Sequence, residues 1–280
     1  KINSYFKMNS IKKELKKVYL KIYYLIYCNC IYFYRSFFIP NKDRDYSIKK
    51  ISLLCPSRQR VNKVKRFLDS IYEKTENINN VEILFLLDED EKFYFEYKEL
   101  ISKYNIKGNI ISIFRKSLST NSDRMNYLAS VSKGEILLVA NDDMCFLTSK
   151  WDTLLNDEFS KSRKKEPLSV WLRCDRKYTY LDCSAFPAIN RSWYNKIGYL
   201  SYYKFRNWYL DTWICDVGRK TGLLLVSNKI KVKQFHALSI EEEIDDTHKK
   251  NHTKENINFD DQVWLETKED RKIDAEKLRV

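Results

Sequence analysis

The chain has 280 residues, 44% of them apolar, with only five Gly and four Pro; this fits one large α/β domain or two small ones and excludes disordered and low-complexity classes. The formal net charge of +13 suits phosphate-rich ligands, nucleic acid or anionic membranes, although abundant Lys, Asn, Ile and Tyr also fit a coding bias toward A and T. Seven cysteines show no metal-type or disulfide-type spacing, Cys28-Asn29-Cys30 being the only close pair, and no run reads as a cleavable signal peptide, so a reducing, cytoplasmic setting is expected.

Residues 1–40 stand apart as an amphipathic, aromatic helical extension. Lys12, Lys13, Lys16, Lys17 and Lys21 precede an uncharged, aromatic-rich run, Ile22–Tyr34, which Arg35 interrupts. The run is shorter than the roughly 20 residues that span a bilayer. Two readings stay open. One is an interfacial helix over 12–35, with Tyr and Phe at headgroup level and lysines on anionic lipid, peripheral on the inner face of the membrane. The other is a helix packed on the domain that follows. The numbering begins at Lys1, so Met8 is a candidate start and the chain a candidate fragment.

A polar linker, Pro40-Asn-Lys-Asp-Arg-Asp, leads into a domain expected over 48–240. There the pattern alternates. Strands are predicted at Ile51–Cys55, Val81–Leu87, Asn109–Phe114 and Glu135–Ala140. Helices are predicted at Val61–Tyr72, Phe93–Tyr104 and Asn121–Ser132, the last with Thr120, Asn121 or Ser122 as N-cap. Such alternation implies a parallel sheet with crossover helices, a Rossmann-like α/β fold. Next come a helix at Trp151–Phe159, strands at Leu168–Cys174 and Asp182–Ala188, and helices at Arg191–Ile197 and Asn207–Arg219. Leu223–Val226 and Ile230–Phe235 read as two late strands. Residues 241–280 form a charged C-terminal tail, a candidate part of a lid; His248 and His252 lie in it and read as solvated.

The most informative stretch is Gly134–Cys145, where a charge-free apolar run ends in Asn141-Asp142-Asp143. Open α/β sheets bind ligands just beyond the carboxyl ends of their strands. Two adjacent carboxylates repel, and a hard cation such as Mg²⁺ or Mn²⁺ relieves that repulsion and neutralises a diphosphate. A pair of loop or N-cap aspartates is the plainer alternative. Other strand ends carry Pro56-Ser57-Arg58 and Asp88-Glu89-Asp90. Arg58 suits a phosphate, and an acidic residue at the second strand end suits a base or ribose. Neither GxGxxG nor GxxxxGK[ST] occurs, which removes the usual dinucleotide and P-loop signatures.

Taken in order, these motifs resemble glycosyltransferases of the GT-A fold, nearest in pattern to the family 2-like enzymes, over about 50–236. Cys55-Pro56-Ser57-Arg58-Gln59-Arg60 is similar to the opening nucleotide-binding turn. Asp88 is similar to the acidic residue that holds the base. Asn126, Gly134-Glu135 and Asn141-Asp142-Asp143 resemble the run into the D-x-D metal motif, with Asn141 in place of its first acid. The segment from Ser184 to Gly198, with Leu210-Asp211-Thr-Trp-Ile-Cys215 and Gly222, resembles the acceptor side and the helix bearing the catalytic acid; the usual Glu-Asp pair is here Leu210-Asp211.

The resemblance implies a nucleotide-diphosphate sugar as donor, contacted by Pro56, Ser57, Arg58, Asp88, Asn126, Asn141 and Asp142. It implies a divalent metal, Mn²⁺ or Mg²⁺, on Asp143 and His236, and Asp211 as the base of an inverting transfer. The acceptor would be a saccharide or lipid-linked glycan, as in cell-surface glycan biosynthesis; the positive charge leaves modified DNA open as an acceptor. Two other classes compete. A sugar-phosphate nucleotidyltransferase would also use a parallel sheet and metal-binding carboxylates, but it would carry a Gly-rich loop where Cys55–Arg60 has no Gly. A non-catalytic nucleic-acid or membrane-binding protein fits the charge but leaves the ordered carboxylates without a task.

Overall fold

The computed structural model describes residues 22, 26–27, 30–174, 185–235 and 245–279. The first half follows the predicted alternation. Strands β1 (Ile51–Pro56), β2 (Val81–Asp88), β3 (Ile110–Arg115) and β4 (Ile136–Val139) pair in parallel. Helices α1 (Val61–Lys74), α2 (Tyr94–Tyr104) and α3 (Asn121–Val131) provide the crossovers. Every residue of β2 is buried, as expected for a strand covered on both faces. Period-two alternation divides the strands between two apolar layers. Ile51, Leu53, Ile83, Phe85 and Leu138 face Phe67 and Ile71 of α1. Leu54, Leu84, Leu86 and Leu137 face Met125 and Leu128 of α3. A capping box fixes the start of α3: Thr120 Oγ1 accepts from Asp123 N at 3.0 Å, and the Asp123 carboxylate accepts from Thr120 N at 3.2 Å.

One glycine before β4 is required by space rather than by φ. A Cβ on Gly134 would lie 2.2 Å from Ser52 Oγ and 2.7 Å from Ser52 N. Its own N–H donates to Ser52 Oγ at 2.8 Å and to buried Glu82 Oε1 at 3.0 Å. This close approach seats β4 against β1.

The second half contributes β5 (Met144–Phe146), α4 (Trp151–Ser160), β6 (Ser169–Cys174), β7 (Pro187–Asn190), α5 (Arg191–Ile197), α6 (Leu210–Thr221) and β8 (Leu224–Gln234). The eight strands run in the order β3-β2-β1-β4-β7-β6-β8-β5, with β7 and β5 antiparallel to their neighbours. Several expectations shift here. The two late strands are one eleven-residue strand, because exposed Asn228 and Lys229 interrupt the apolar pattern without interrupting the ladder. The strand expected at Asp182–Ala188 lies at Pro187–Asn190, and 175–184 lie outside the described residues. The helix expected from Asn207 begins at Leu210, because 206–208 form a separately held turn. Strand β5, three residues long, had no periodicity to announce it.

Helices α7 (Asp246–Asn251), α8 (Lys254–Glu266) and α9 (Lys268–Arg279) follow. Helix α9 packs on α6: Arg271 Nε pairs with Asp216 at 3.0 Å, and the Arg271 guanidinium lies 3.7 Å from the Trp264 ring centre. Trp213 Nε1 donates to Asp274 Oδ2 at 3.0 Å. Before β1, residues 30–37 are helical. Ile31 and Tyr32 pack on the core, and Tyr27 Oη donates to Arg219 O at 2.9 Å. Arg35, the interrupting charge, is buried and forms a fork on Glu166 at 2.8 and 3.2 Å. Phe33, Tyr34, Phe37 and Phe38 remain exposed. Among the described residues, no helix is long and apolar enough to cross a membrane.

Candidate active site

A cleft of about 250 Å³ opens at the carboxyl ends of β1 and β4. The turn after β1 forms one wall. Ser57 N donates to Leu86 O at 3.1 Å, holding the turn to β2. Gln59 is left-handed (φ 55°), and its N–H donates to Glu91 Oε2 at 3.0 Å. Arg60 N donates to the buried Tyr97 hydroxyl at 2.9 Å. Two residues of α2 and its approach therefore staple an otherwise strained loop.

The acidic pair follows β4. Asp142 is 2% exposed, and both its oxygens are engaged: Ser57 Oγ donates to Oδ2 at 2.7 Å, and Arg60 Nη1 to Oδ1 at 3.2 Å. Ser57 spends its proton on Asp142, so the 2.9 Å contact between Ser57 Oγ and Tyr97 Oη is donated by Tyr97. Asp143 is tied to the end of β8. Its carboxylate accepts from Gln234 Nε2 at 3.1 and 3.3 Å, and its carbonyl accepts from Phe235 N at 2.8 Å. Burial pushes the Cys55 thiol well up, with Asp142 and Asp143 adding to the effect, so it is no nucleophile at neutral pH. Burial opposes the charge on Arg60, but Asp142 and Asp245 outweigh it and raise its pKa.

The opposite wall is the turn into α6. Asp260, fully buried in α8, accepts from Arg206 N at 2.8 Å and from Asn207 N and Trp208 N at 2.9 Å each. Tyr209 is left-handed (φ 69°) and caps α6. It is held by stacking on Trp264, with ring centres 5.0 Å apart, and by donating from Oη to Asp261 Oδ1 at 2.6 Å. Asp211 sits in the first turn of α6, where the helix dipole favours an anion; its Oδ1 accepts from Thr212 N at 2.7 Å. His252, expected to be solvated, instead lines the cleft and meets Trp208 edge-on, with ring centres 4.5 Å apart.

Of the residues singled out from the sequence, Pro56, Ser57, Arg58, Asn141, Asp142, Asp143 and Asp211 share this cleft. Asp88 lies behind it, 3% exposed, accepting from Arg58 Nη1 at 2.9 Å and from Arg124 Nη2 at 3.1 and 3.2 Å. Asn126 is away from the lining: its side chain binds the backbone of Leu200 and Ser201 at 2.7–2.9 Å. His236 and Ser184 lie outside the described residues. Arg60, Arg124 and Gln234 line the cleft without having been assigned a role, and Trp208, near Asp211 in sequence and suited to stacking on a sugar face, lines it as well. Arg60 had a partial signal, two residues beyond Arg58 in the same turn.

Among the described residues, no group of three or more His, Cys, Asp or Glu side chains is arranged to hold a metal ion. A hard divalent cation in such sites is commonly held by one or two carboxylates together with substrate phosphates. Asp143, a cleft-lining carboxylate that accepts from the neutral amide of Gln234, fits that kind of site, whereas the Asp142 oxygens are engaged by Ser57 and the Arg60 cation.

No protein-family model matches the chain. No curated protein matches it in sequence. Solved structures do match in three dimensions. A mannosyltransferase from Pyrobaculum calidifontis, PcManGT, in complex with GDP-Man and Mn²⁺, superposes with a TM-score of 0.54 at 12% identity, over 78% of this chain and 67% of that one. GalNAc-T7 with UDP, GalNAc and Mn²⁺ superposes with a TM-score of 0.55 at 15% identity, over 67% of this chain and 43% of that one. S. aureus TarS 1-349 in complex with UDP gives 0.50 at 12% identity, over 66% and 60%. The fold is GT-A. The chain thus spans about two thirds of the mannosyltransferase and under half of GalNAc-T7. The cleft lies at the carboxyl ends of β1 and β4, with β1–β4 as the Rossmann-like half of the sheet.

Proposed function

We propose that the protein transfers a sugar from a nucleotide-diphosphate donor to a saccharide or lipid-linked acceptor, with inversion and with a divalent cation. One observation carries the reading: the turn after β1, the acidic pair after β4 and Asp211 of α6 line a single cleft in a GT-A fold. PcManGT in complex with GDP-Man and Mn²⁺, and GalNAc-T7 with UDP, GalNAc and Mn²⁺, favour the same donor class.

In this mechanism the Asp143 carboxylate, with His236 as a further ligand, would hold the cation. The cation when bound would offset the negative charge of the diphosphate leaving group. Ser57, Arg58 and Asn141 would position the nucleotide from the floor and near wall. Asp88 would reach the base through its arginine pair with Arg58 and Arg124, which it orients from behind. Asp142 would act by fixing Ser57 and Arg60. Asp211 would accept the proton of the acceptor hydroxyl as that oxygen bonds to the anomeric carbon and the diphosphate departs. Trp208, whose indole N–H has no hydrogen-bond partner among the described residues, would donate to a sugar hydroxyl and stack on the ring.

The exposed Phe33, Tyr34, Phe37 and Phe38 support a lipid surface as a further partner of the N-terminal helix, in line with a peripheral position on the inner face of a membrane as the proposed location. Synthesis of cell-surface glycan would suit that location. Asp211→Asn tests the central step. Turnover should fall about 10²–10⁴-fold while donor affinity holds. Near-normal turnover would eliminate Asp211 as the base, and joint loss of donor affinity would move it to the donor side.

A further inference from the structure

Arg60 makes a contact that the catalytic cycle above does not use. Its side chain is 17% exposed and lines the cleft beside the acidic pair. Nη1 donates to Asp142, within the sheet-end cluster. The remaining edge of the guanidinium is turned to a residue 185 positions away: Nε donates to Asp245 Oδ2 at 2.7 Å and Nη2 to Asp245 Oδ1 at 2.8 Å. Lys63 Nζ adds a contact to Asp245 Oδ2 at 3.2 Å. Asp245 directly precedes α7, whose end brings Asn251 and His252 to the cleft lining.

The chemistry of this fork is informative. A guanidinium edge accepts two oxygens in a plane, and carboxylate and phosphate oxygens satisfy it equally well. The Arg60 edge is aimed by its own backbone, since Tyr97 and Glu91 fix the turn that carries it. The position is thus pre-organised for an oxyanion, whichever one arrives. Among the described residues, Arg60 and Lys63 face Asp142 and Asp245, and Asp143 adds its charge at Arg60. Asp142 is part of the buried floor, 2% exposed, and is also held by Ser57. The Asp245 side chain is 29% exposed and comes from a separate segment, directly before α7. Of the two anions it is the one that can be exchanged. A diphosphate entering the cleft with Asp245 in place would meet a carboxylate on its cationic partner, whereas one that displaced Asp245 would inherit a bidentate guanidinium and a lysine.

We infer that Arg60, assisted by Lys63, is the protein's own diphosphate-binding cation, and that Asp245 occupies the diphosphate position until the donor arrives. The inference rests on the nucleotide-donor reading above and adds an exchange to it. Donor binding releases Asp245 from Arg60, and the start of α7 shifts with it. A fixed guanidinium at the diphosphate also opposes the charge that builds on the leaving oxygen, beside whatever a metal contributes.

The test is calorimetric binding of UDP, GDP, ADP, CDP and inorganic pyrophosphate, each with and without Mn²⁺, to the full chain and to Asp245→Asn, Lys63→Gln, Arg60→Lys and Arg60→Gln. Hydrogen exchange of the 246–252 amides is followed in parallel. The expected result is tighter diphosphate binding by Asp245→Asn, on the order of threefold to tenfold, since a competing partly exposed ion pair is removed. Arg60→Gln should weaken binding by about tenfold or more, with Arg60→Lys between, because the bidentate geometry is lost before the charge is. Exchange over 246–252 should rise in wild type on adding the diphosphate and be raised from the start in Asp245→Asn. Should Arg60→Gln misfold, Asp245→Asn and Lys63→Gln still decide. A diphosphate that binds wild type, Asp245→Asn and Lys63→Gln with equal affinity overturns the inference and leaves the donor reading standing. Weaker binding by Asp245→Asn also overturns it, by making Asp245 a ligand of the donor or its cation. No binding of any probe to wild type or Asp245→Asn overturns both.

Discussion

Asp260 offers a sharp test of how the acceptor wall is built. Its carboxylate is fully buried and takes three backbone N–H donors, those of Arg206, Asn207 and Trp208, at 2.8–2.9 Å. The turn they belong to leads directly into left-handed Tyr209 and then Asp211. Each hydrogen bond to a charged acceptor contributes about 1.5–3 kcal/mol, and three sharing one carboxylate are not additive. Asp260→Ala should therefore cost about 3–5 kcal/mol, a large share of the roughly 5–15 kcal/mol that holds a domain folded. Asp260→Asn keeps one acceptor oxygen but turns an NH₂ group toward at least one of the donors, and should cost about 1–3 kcal/mol. Glu255→Gln is the control. Glu255 pairs with Arg206 at 3.1 Å from the same helix, but its side chain is 83% exposed, so its loss should change stability by under about 1 kcal/mol. Urea unfolding measures all three. Turnover should fall in Asp260→Asn as well, because the turn that aims α6 is loosened. Stability of Asp260→Asn within about 0.5 kcal/mol of wild type would refute the idea that this carboxylate holds the turn.

Other expectations follow from the same structure. Gly134→Ala places a Cβ 2.2 Å from Ser52 Oγ and 2.7 Å from Ser52 N; backbone at β1 must shift, so thermal unfolding should report a loss of about 1–3 kcal/mol, and an unchanged midpoint would show that β4 is not seated by this contact. Asp143→Asn should abolish Mn²⁺-supported binding of a nucleoside diphosphate while unfolding stays near wild type; calorimetry that finds equal affinity removes Asp143 from the metal site. Phe37 and Phe38 are 72% and 63% exposed, so the double change to Ser should leave the melting temperature unmoved and reduce sedimentation with anionic vesicles. Equal sedimentation of the two proteins would end the lipid-surface reading.

What was readable in the chain was whatever is local. Burial on both faces of a parallel sheet demands short apolar runs, and β1 to β4 with their helices lie within a residue or two of where those runs and the Thr120 cap placed them. The strand-end motifs were local too, and a parallel sheet necessarily gathers its carboxyl ends along one edge, which is why Pro56 to Arg58 and Asn141 to Asp143 meet in one cleft; Asp211 reaches the same cleft from the start of α6. The partners were not readable. Nothing in the neighbourhood of Asp88 announces that Arg58 and Arg124 close on it, nor that Asn126 spends its amide on the 200–201 backbone. The one continuous strand at Leu224–Gln234 was hidden because Asn228 and Lys229 are solvent-facing members of a ladder, not a break in it. Most of all, the roles of Arg60 and Asp260 belong to tertiary structure. Hydrophobic periodicity is a property of a few consecutive residues, whereas an ion pair spanning 185 positions, or a helix carboxylate that caps a turn more than fifty residues earlier, exists only once the chain has folded and brought charges from distant segments within hydrogen-bonding distance.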